Sequence, residues 1–146
     1  MNASQPAPTT KSIHVVHELA ESPAKVWRAL VEPELLARWL MPNDFLPEVG
    51  REFTFRAPPM GDWDGVVQCK VLEIVPLELV RWSWKGGPAH SRLDTVLTIT
   101  LSPTPSGGTR LVLDHAGFVE ANAFAYEIMG KGWREKVLER IRATIA

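Results

Sequence analysis

The segment from Ser22 to Leu40, SPAKVWRALVEPELLARWL, constrains the fold of this chain more than any other. It encodes two short amphipathic helices joined at a proline. Ser22 offers a capping oxygen to the first helix, and Pro23 occupies its first position, where no backbone donor is lost; Pro33 and Glu34 repeat that start for the second. Val26, Trp27 and Leu30 match Leu35, Leu36 and Trp39 in spacing. Each helix therefore carries an apolar stripe too strong to leave in water, on a helix too short to stand alone. Such a pair requires a sheet beneath it.

The 146 residues are 45% hydrophobic and 23% charged, the size and composition of one globular domain. Sixteen Lys and Arg against seventeen Asp and Glu leave a net charge of -1, with no basic run to neutralise phosphates, which argues against nucleic acid as a partner. Cys69 is the single cysteine, so no intramolecular disulfide can form, and no N-terminal segment reads as a secretory signal. A cytoplasmic location is the expectation. No apolar run approaches the roughly 18 to 20 residues that span a bilayer, and neither short helix has a basic polar face, so membrane insertion is not expected.

Residues 1–11 are polar, contain two prolines and lack periodicity, and are expected to form a disordered lead-in; residues 12–146 are expected to form a single domain. Ser12 to Leu19 alternates as a half-buried strand does. After the helix pair, Met41-Pro42-Asn43 breaks the helical pattern. Further strands are predicted over Glu48 to Arg56, Gly65 to Ile74, Leu79 to Lys85, Leu93 to Leu101 and Thr109 to His115, separated by Pro- and Gly-rich turns. Trp133, Val137, Ile141 and Ile145 then recur every four residues, which predicts a long closing helix. Gly130-Lys131-Gly132 makes it either start near Trp133 or carry a kink at the glycines. Helices segregated to one face of an antiparallel sheet of about six strands give an α+β architecture.

Strand parity groups Phe53 with Phe55, Val80 with Trp82 and Trp84, Leu93 with Thr95, Leu97, Ile99 and Leu101, and Leu111 with Leu113 and His115. Six tryptophans are many for this length, and Trp82 and Trp84 on one strand face are bulky enough to hold a helix off the sheet. Two arrangements follow: a pocket lined partly by the tryptophans, or a curved core that they simply fill.

The motifs PAKVWRAL and VEPELLARWL, the EVGREFTFR strand, GVV with CKVLEIVP, RWSW, TRLVLDHAGF and the late Gly132-Trp133 occur in this order. Together they resemble the START-like (SRPBCC) superfamily, and more closely its bacterial branch homologous to the C-terminal domain of the activator of the heat-shock-chaperone ATPase. The resemblance runs from about Ser12 to the C-terminus. It implies a helix-grip fold, also described as birch-pollen-allergen-like, in which a curved antiparallel sheet wraps a long C-terminal helix around a mostly apolar cavity. The superfamily includes lipid and steroid carriers, hormone receptors, polyketide cyclases and co-chaperone domains, so membership alone does not select a function. The full activator has a separate chaperone-binding domain ahead of this one, whereas ten residues precede the first strand here, which makes a chaperone the less expected partner.

Within that frame, His115 shares the interior parity of Leu111 and Leu113, either orienting a ligand or satisfied by neighbouring groups. His17 has the same two readings on the first strand. Asp62 and Asp64 flank Trp63 in PPMGDWDG; two carboxylates can do acid/base work, but Asp and Gly also favour turns for backbone reasons, and Trp63 is the better candidate as a gate. His90, Ser91 and Asp94 lie close in sequence without a nucleophile turn, and the four histidines and one cysteine show no metal-binding spacing, so neither a triad nor a metal or other cofactor is expected.

The leading expectation is a protein, monomeric or homodimeric, that binds a small hydrophobic or aromatic molecule. Phe53, Phe55, Trp63, Trp82, Trp84, Leu97, Trp133 and Val137 would supply the apolar walls and His115 a polar contact. A cyclase- or dehydratase-like enzyme using the same cavity and a co-chaperone or stress-response interaction module are the alternatives.

Overall fold

The computed structural model describes residues 10–145. Of the expected lead-in, residues 1–9 lie outside the described residues, and Lys11 already belongs to the first strand. The elements are β1 (Lys11–Leu19), α1 (Pro23–Val31), α2 (Pro33–Trp39), β2 (Glu52–Arg56), β3 (Val66–Val75), β4 (Leu79–Gly86), β5 (Leu93–Pro103), β6 (Thr109–Phe118), α3 (Ala123–Glu135) and α4 (Val137–Ile145). Single 3₁₀ turns at Ala89–Ser91 and Glu120–Asn122 precede β5 and α3.

The six strands form one antiparallel sheet in the order β1-β6-β5-β4-β3-β2. Five consecutive strands make a meander, and β1 returns to pair with β6, with Val15 opposite Leu113 and Leu19 opposite Thr109. A register shift between Val71 and Glu73 on β3 increases the local twist. One face of the sheet is buried: Phe53 and Phe55, Val80, Trp82 and Trp84, Leu97, Ile99 and Leu101, and Leu111, Leu113 and His115 all point inward. The sheet, its order and the helices against its inner face are those of an α+β helix-grip fold.

The α1–α2 pair forms where the capping chemistry puts it, but the two starts differ. Ser22 Oγ accepts from the Lys25 amide at 3.4 Å, whereas Glu32 ahead of α2 makes no side-chain cap. The Glu32 carboxylate instead takes the Arg28 guanidinium one turn back, at 2.5 Å. Trp39 is buried and its indole N–H donates to the Ala29 carbonyl at 2.7 Å, which locks α2 against α1. The pair packs chiefly on α4, with a smaller contact of α1 to β5. The apolar stripes thus join the core under the expected sheet, with α4 alongside them.

The closing helix begins at Ala123 and breaks at Lys136, whose φ of -117° and ψ of -32° depart from helical values. The glycines do not mark the break. Gly130 and Gly132 sit inside α3, and the hydrogen bonds from the Lys136 amide to the Gly132 carbonyl and from the Arg140 amide to the Lys136 carbonyl carry the chain across the irregularity. No helix among the described residues is long and apolar enough to cross a membrane.

Candidate functional site in the cleft between β4 and α3

The interior has a filled part and a hollow part. Under β2, β3 and β4, Phe45 from the loop after α2 inserts between Phe53, Phe55 and Trp82, with ring centroids 5.0 Å from Phe53 and 5.8 Å from Trp82. Phe53, Phe55, Trp82 and Leu97 are at most 3% exposed and lie outside the cavities described below. They are packed core. Trp82 Nε1 finds no oxygen or nitrogen partner among the described residues; the rings of Phe53 and Phe55, 5.8 and 5.9 Å away, are its neighbours.

The hollow part lies beyond Trp84, between the end of β4, the loops before β3 and β5, and α3. A cavity of about 410 Å³ opens there, with Met60, Trp63, Trp84, Phe124, Ile128 and Met129 among its walls. A second cavity of about 190 Å³ shares Met41, Trp84 and Met129 with the first and continues along the helix past Trp39, Trp133 and Val137. Of the expected wall residues, Trp63, Trp84, Trp133 and Val137 thus border open space. Phe124, Ile128 and Met60 are 79%, 55% and 73% exposed, a strongly apolar rim.

The loops that frame the first cavity are fixed by backbone chemistry. The Gly65 carbonyl accepts from the Ala57 amide at 2.8 Å, and a Cβ on Gly65 would lie 2.1 Å from the Ala57 carbonyl oxygen, so only glycine closes this loop without displacement. The Trp63 indole N–H donates to the Val66 carbonyl at 3.0 Å, which holds the ring over the opening. Asp64 accepts from the Val66 amide at 3.0 Å, and Asp62 from the Ala89 amide at 3.2 Å. Asp62 ties its loop to the one before β5, Asp64 closes a turn within its own loop, and no carboxylate lines either cavity.

His115 is fully buried, and its hydrogen bonds settle its tautomer. The Thr95 hydroxyl donates to the Trp84 carbonyl at 2.8 Å, so it accepts from His115 Nε2–H, also at 2.8 Å. His115 Nδ1 then accepts the Trp133 indole N–H at 3.2 Å. Both ring nitrogens are engaged within the protein, and burial pushes the imidazole down from 6.5 to about 3, so it is neutral. His17 donates from Nε2 to the Trp133 carbonyl at 2.9 Å. The two histidines position Trp133 from both its side chain and its backbone. The Cys69 thiol is buried and pushed upward, mainly by burial, so it stays protonated. Among the described residues, no cluster of three or more His, Cys, Asp or Glu side chains is placed to hold a metal ion.

The residues that sequence reasoning missed are Met41, Met60, Phe124, Ile128 and Met129 on the cavity walls and Phe45 in the core. Phe124 and Ile128 stand four residues apart on α3, a signal that becomes readable once the helix is started at Ala123. Met129 extends the series Trp133, Val137, Ile141 by one step toward the N-terminus, whereas Met41, Met60 and Phe45 belong to no periodic run.

A third groove of about 630 Å³ lies at the start of β1 and α3. Its walls mix Lys11, Glu120 and Glu127 with Phe118 and Tyr126, and the Lys11 ammonium sits 5.4 Å from the Tyr126 ring centre. That pairing occupies its cation locally.

Several solved structures share this architecture. Protein MLL2253 from Mesorhizobium loti is 35% identical, with a TM-score of 0.80 over 92% of this chain and 96% of that one. BH1534 from Bacillus halodurans is 24% identical, with a TM-score of 0.74 over 93% and 97%. CalU16 from Micromonospora echinospora is 23% identical, with a TM-score of 0.71 over 94% and 77%; these last two show the common fold. No curated protein matches the chain. Residues 20–146 match the model of the Activator of Hsp90 ATPase homolog 1-like protein family. This chain belongs to that family, a member of the START-like superfamily.

Proposed function

We propose that the protein binds a small hydrophobic or aromatic molecule in the cleft between β4 and α3. The observation that carries this reading is the 410 Å³ cavity itself, in the size range of small-molecule sites and walled by tryptophan, methionine and phenylalanine. Methionine suits such a wall because its flexible, polarisable side chain adapts to different apolar shapes. An apolar rim as exposed as Phe124, Ile128 and Met60 is costly in water unless something covers it. Removing that surface from water is the driving force for binding.

The cyclase- or dehydratase-like reading has less support. Acid/base catalysis needs a titratable group facing the substrate. His115 is saturated and neutral, and the carboxylates nearest the opening are committed to loop amides. His90 is the one imidazole on the cavity wall, at the rim beside Lys85 and Ser91.

Titration with the neutral fluorophore N-phenyl-1-naphthylamine tests the binding reading. Saturable one-site binding by the wild type, abolished by Ala125→Phe on the cavity wall while circular dichroism is unchanged, supports it. Absence of saturation, or equal affinity in the folded variant, contradicts it and shifts attention to the Phe124–Ile128 face as a protein contact.

A further inference from the structure

We infer that the ligand is an amphipathic organic anion, with its apolar body along Trp84 in the larger cavity and its acidic group in the smaller one, held by Lys136 and Arg140. This rests on the ligand-binding reading above and adds the chemical class. The two cavities are continuous in their walls through Met41, Trp84 and Met129. The ligand spans both by displacing the flexible methionine side chains at the shared wall. The smaller cavity is apolar along Trp39, Leu40, Trp133 and Val137, and its only charged wall residues are Lys136 and Arg140.

These two cations differ in their partners from Lys85, the other Lys or Arg on the walls of the two cavities. Arg28, Arg51, Arg81, Lys85, Arg110 and Arg142 each lie within 4.0 Å of a carboxylate. Among the described residues, neither Lys136 nor Arg140 forms an ion pair. Lys85, on the wall of the larger cavity, is paired with Asp94 at 3.6 Å and is the weaker anchor for an anion. The irregular turn at Lys136, between α3 and α4, is where the smaller cavity meets the helix. A Cβ added at Gly132, one turn before Lys136, meets nothing within 4 Å, so open space continues to the backbone itself. Lys136 and Arg140, four residues apart and both exposed on the wall of this apolar space, are suited to a carboxylate or sulfonate group.

The test compares N-phenyl-1-naphthylamine with its sulfonated analogue, 8-anilinonaphthalene-1-sulfonate, which has the same aromatic body plus one negative charge. Hydrogen bonds to a charged group predict that the wild type binds the sulfonate about tenfold more tightly. The double variant Lys136→Gln/Arg140→Gln should remove that preference without changing the affinity for the neutral dye. Gly132→Leu, which fills the smaller cavity and raises helix propensity, should do the same if the double variant fails to fold. Lys131→Gln, on α3 but off both cavity walls, should change neither affinity. Equal binding of the two dyes by the wild type, or a loss with Lys131→Gln as large as with the double variant, overturns the anion site and leaves the ligand-binding reading standing. Failure of both dyes to saturate overturns both.

Discussion

Trp82 and Trp84 stand two residues apart on the same face of β4, yet one is core and the other is wall. Trp82 is fully buried among Phe45, Phe53 and Phe55, whose ring centres lie 5.8 to 5.9 Å away. Trp84 has Phe55, His115 and Trp133 at 5.6, 5.3 and 6.0 Å, and both cavities begin on its remaining surface. The difference comes from outside the strand. Phe45 drops from the loop after α2 onto Trp82, whereas α3 sets Trp133 against one side of Trp84 and, along the cavities, only the small or flexible Ala125, Met129 and Gly132. A strand pattern tells which side chains share a face, and the elements opposite decide whether that face is filled.

The contrast predicts that stability resides in the filled part and binding in the hollow part. Trp82→Ala should cost about 3–5 kcal/mol, the range for emptying a packed aromatic site. Trp84→Ala, which already borders free space, should cost about 2 kcal/mol and alter dye affinity as well. Urea denaturation of both variants checks the ranking, and equal losses would break the comparison.

A second prediction concerns His115, which stands between the two parts. Unfolding frees the imidazole to take a proton below its ordinary 6.5, whereas the folded ring stays neutral down to about 3. The unfolded chain binds more protons across that window, so stability falls as the pH is lowered through it, by about 1.4 kcal/mol per pH unit. The slope of unfolding free energy against pH should be shallower by that amount in His115→Gln. An unchanged slope would mean that the imidazole is accessible to protons in the folded state, and hence that the cavity extends to it.

Two smaller effects sharpen the same contrast. Ser22→Ala removes the α1 cap and should cost about 1 kcal/mol, read as a lower denaturation midpoint, without touching binding. Phe124→Ser, at the exposed rim, should change stability by no more than about 0.5 kcal/mol and weaken the binding of the neutral dye severalfold.

Much of the architecture was legible in the sequence because it rests on periodicity. The alternation in β4, β5 and β6 placed Trp82, Trp84, Leu97 and His115 on the inner face, and Ser22-Pro23 located α1. The position of the hollow was not legible. It depends on Phe45, Met41 and Met60, isolated apolar residues in stretches without a period, whose positions only the tertiary fold determines, and on which α3 side chains, Met129 among them, face Trp84. The break in the closing helix was misplaced for a related reason. Gly130 and Gly132 lower helix propensity, but hydrogen bonding on both sides outweighs that cost, and the irregularity falls at Lys136, a residue with no local signal. His115 showed its parity but not its partners, because Thr95 and Trp133 come to it from β5 and α3.

The most direct test of the account follows the indole N–H signals of the tryptophans in a two-dimensional proton–nitrogen NMR spectrum as neutral N-phenyl-1-naphthylamine is added. The account predicts that the signals of Trp63 and Trp84, assigned by single substitutions, shift progressively to saturation while that of Trp82 stays fixed. Movement of Trp82 with Trp63 and Trp84 unchanged would contradict it, because the ligand would then enter beneath the sheet and not the cleft between β4 and α3.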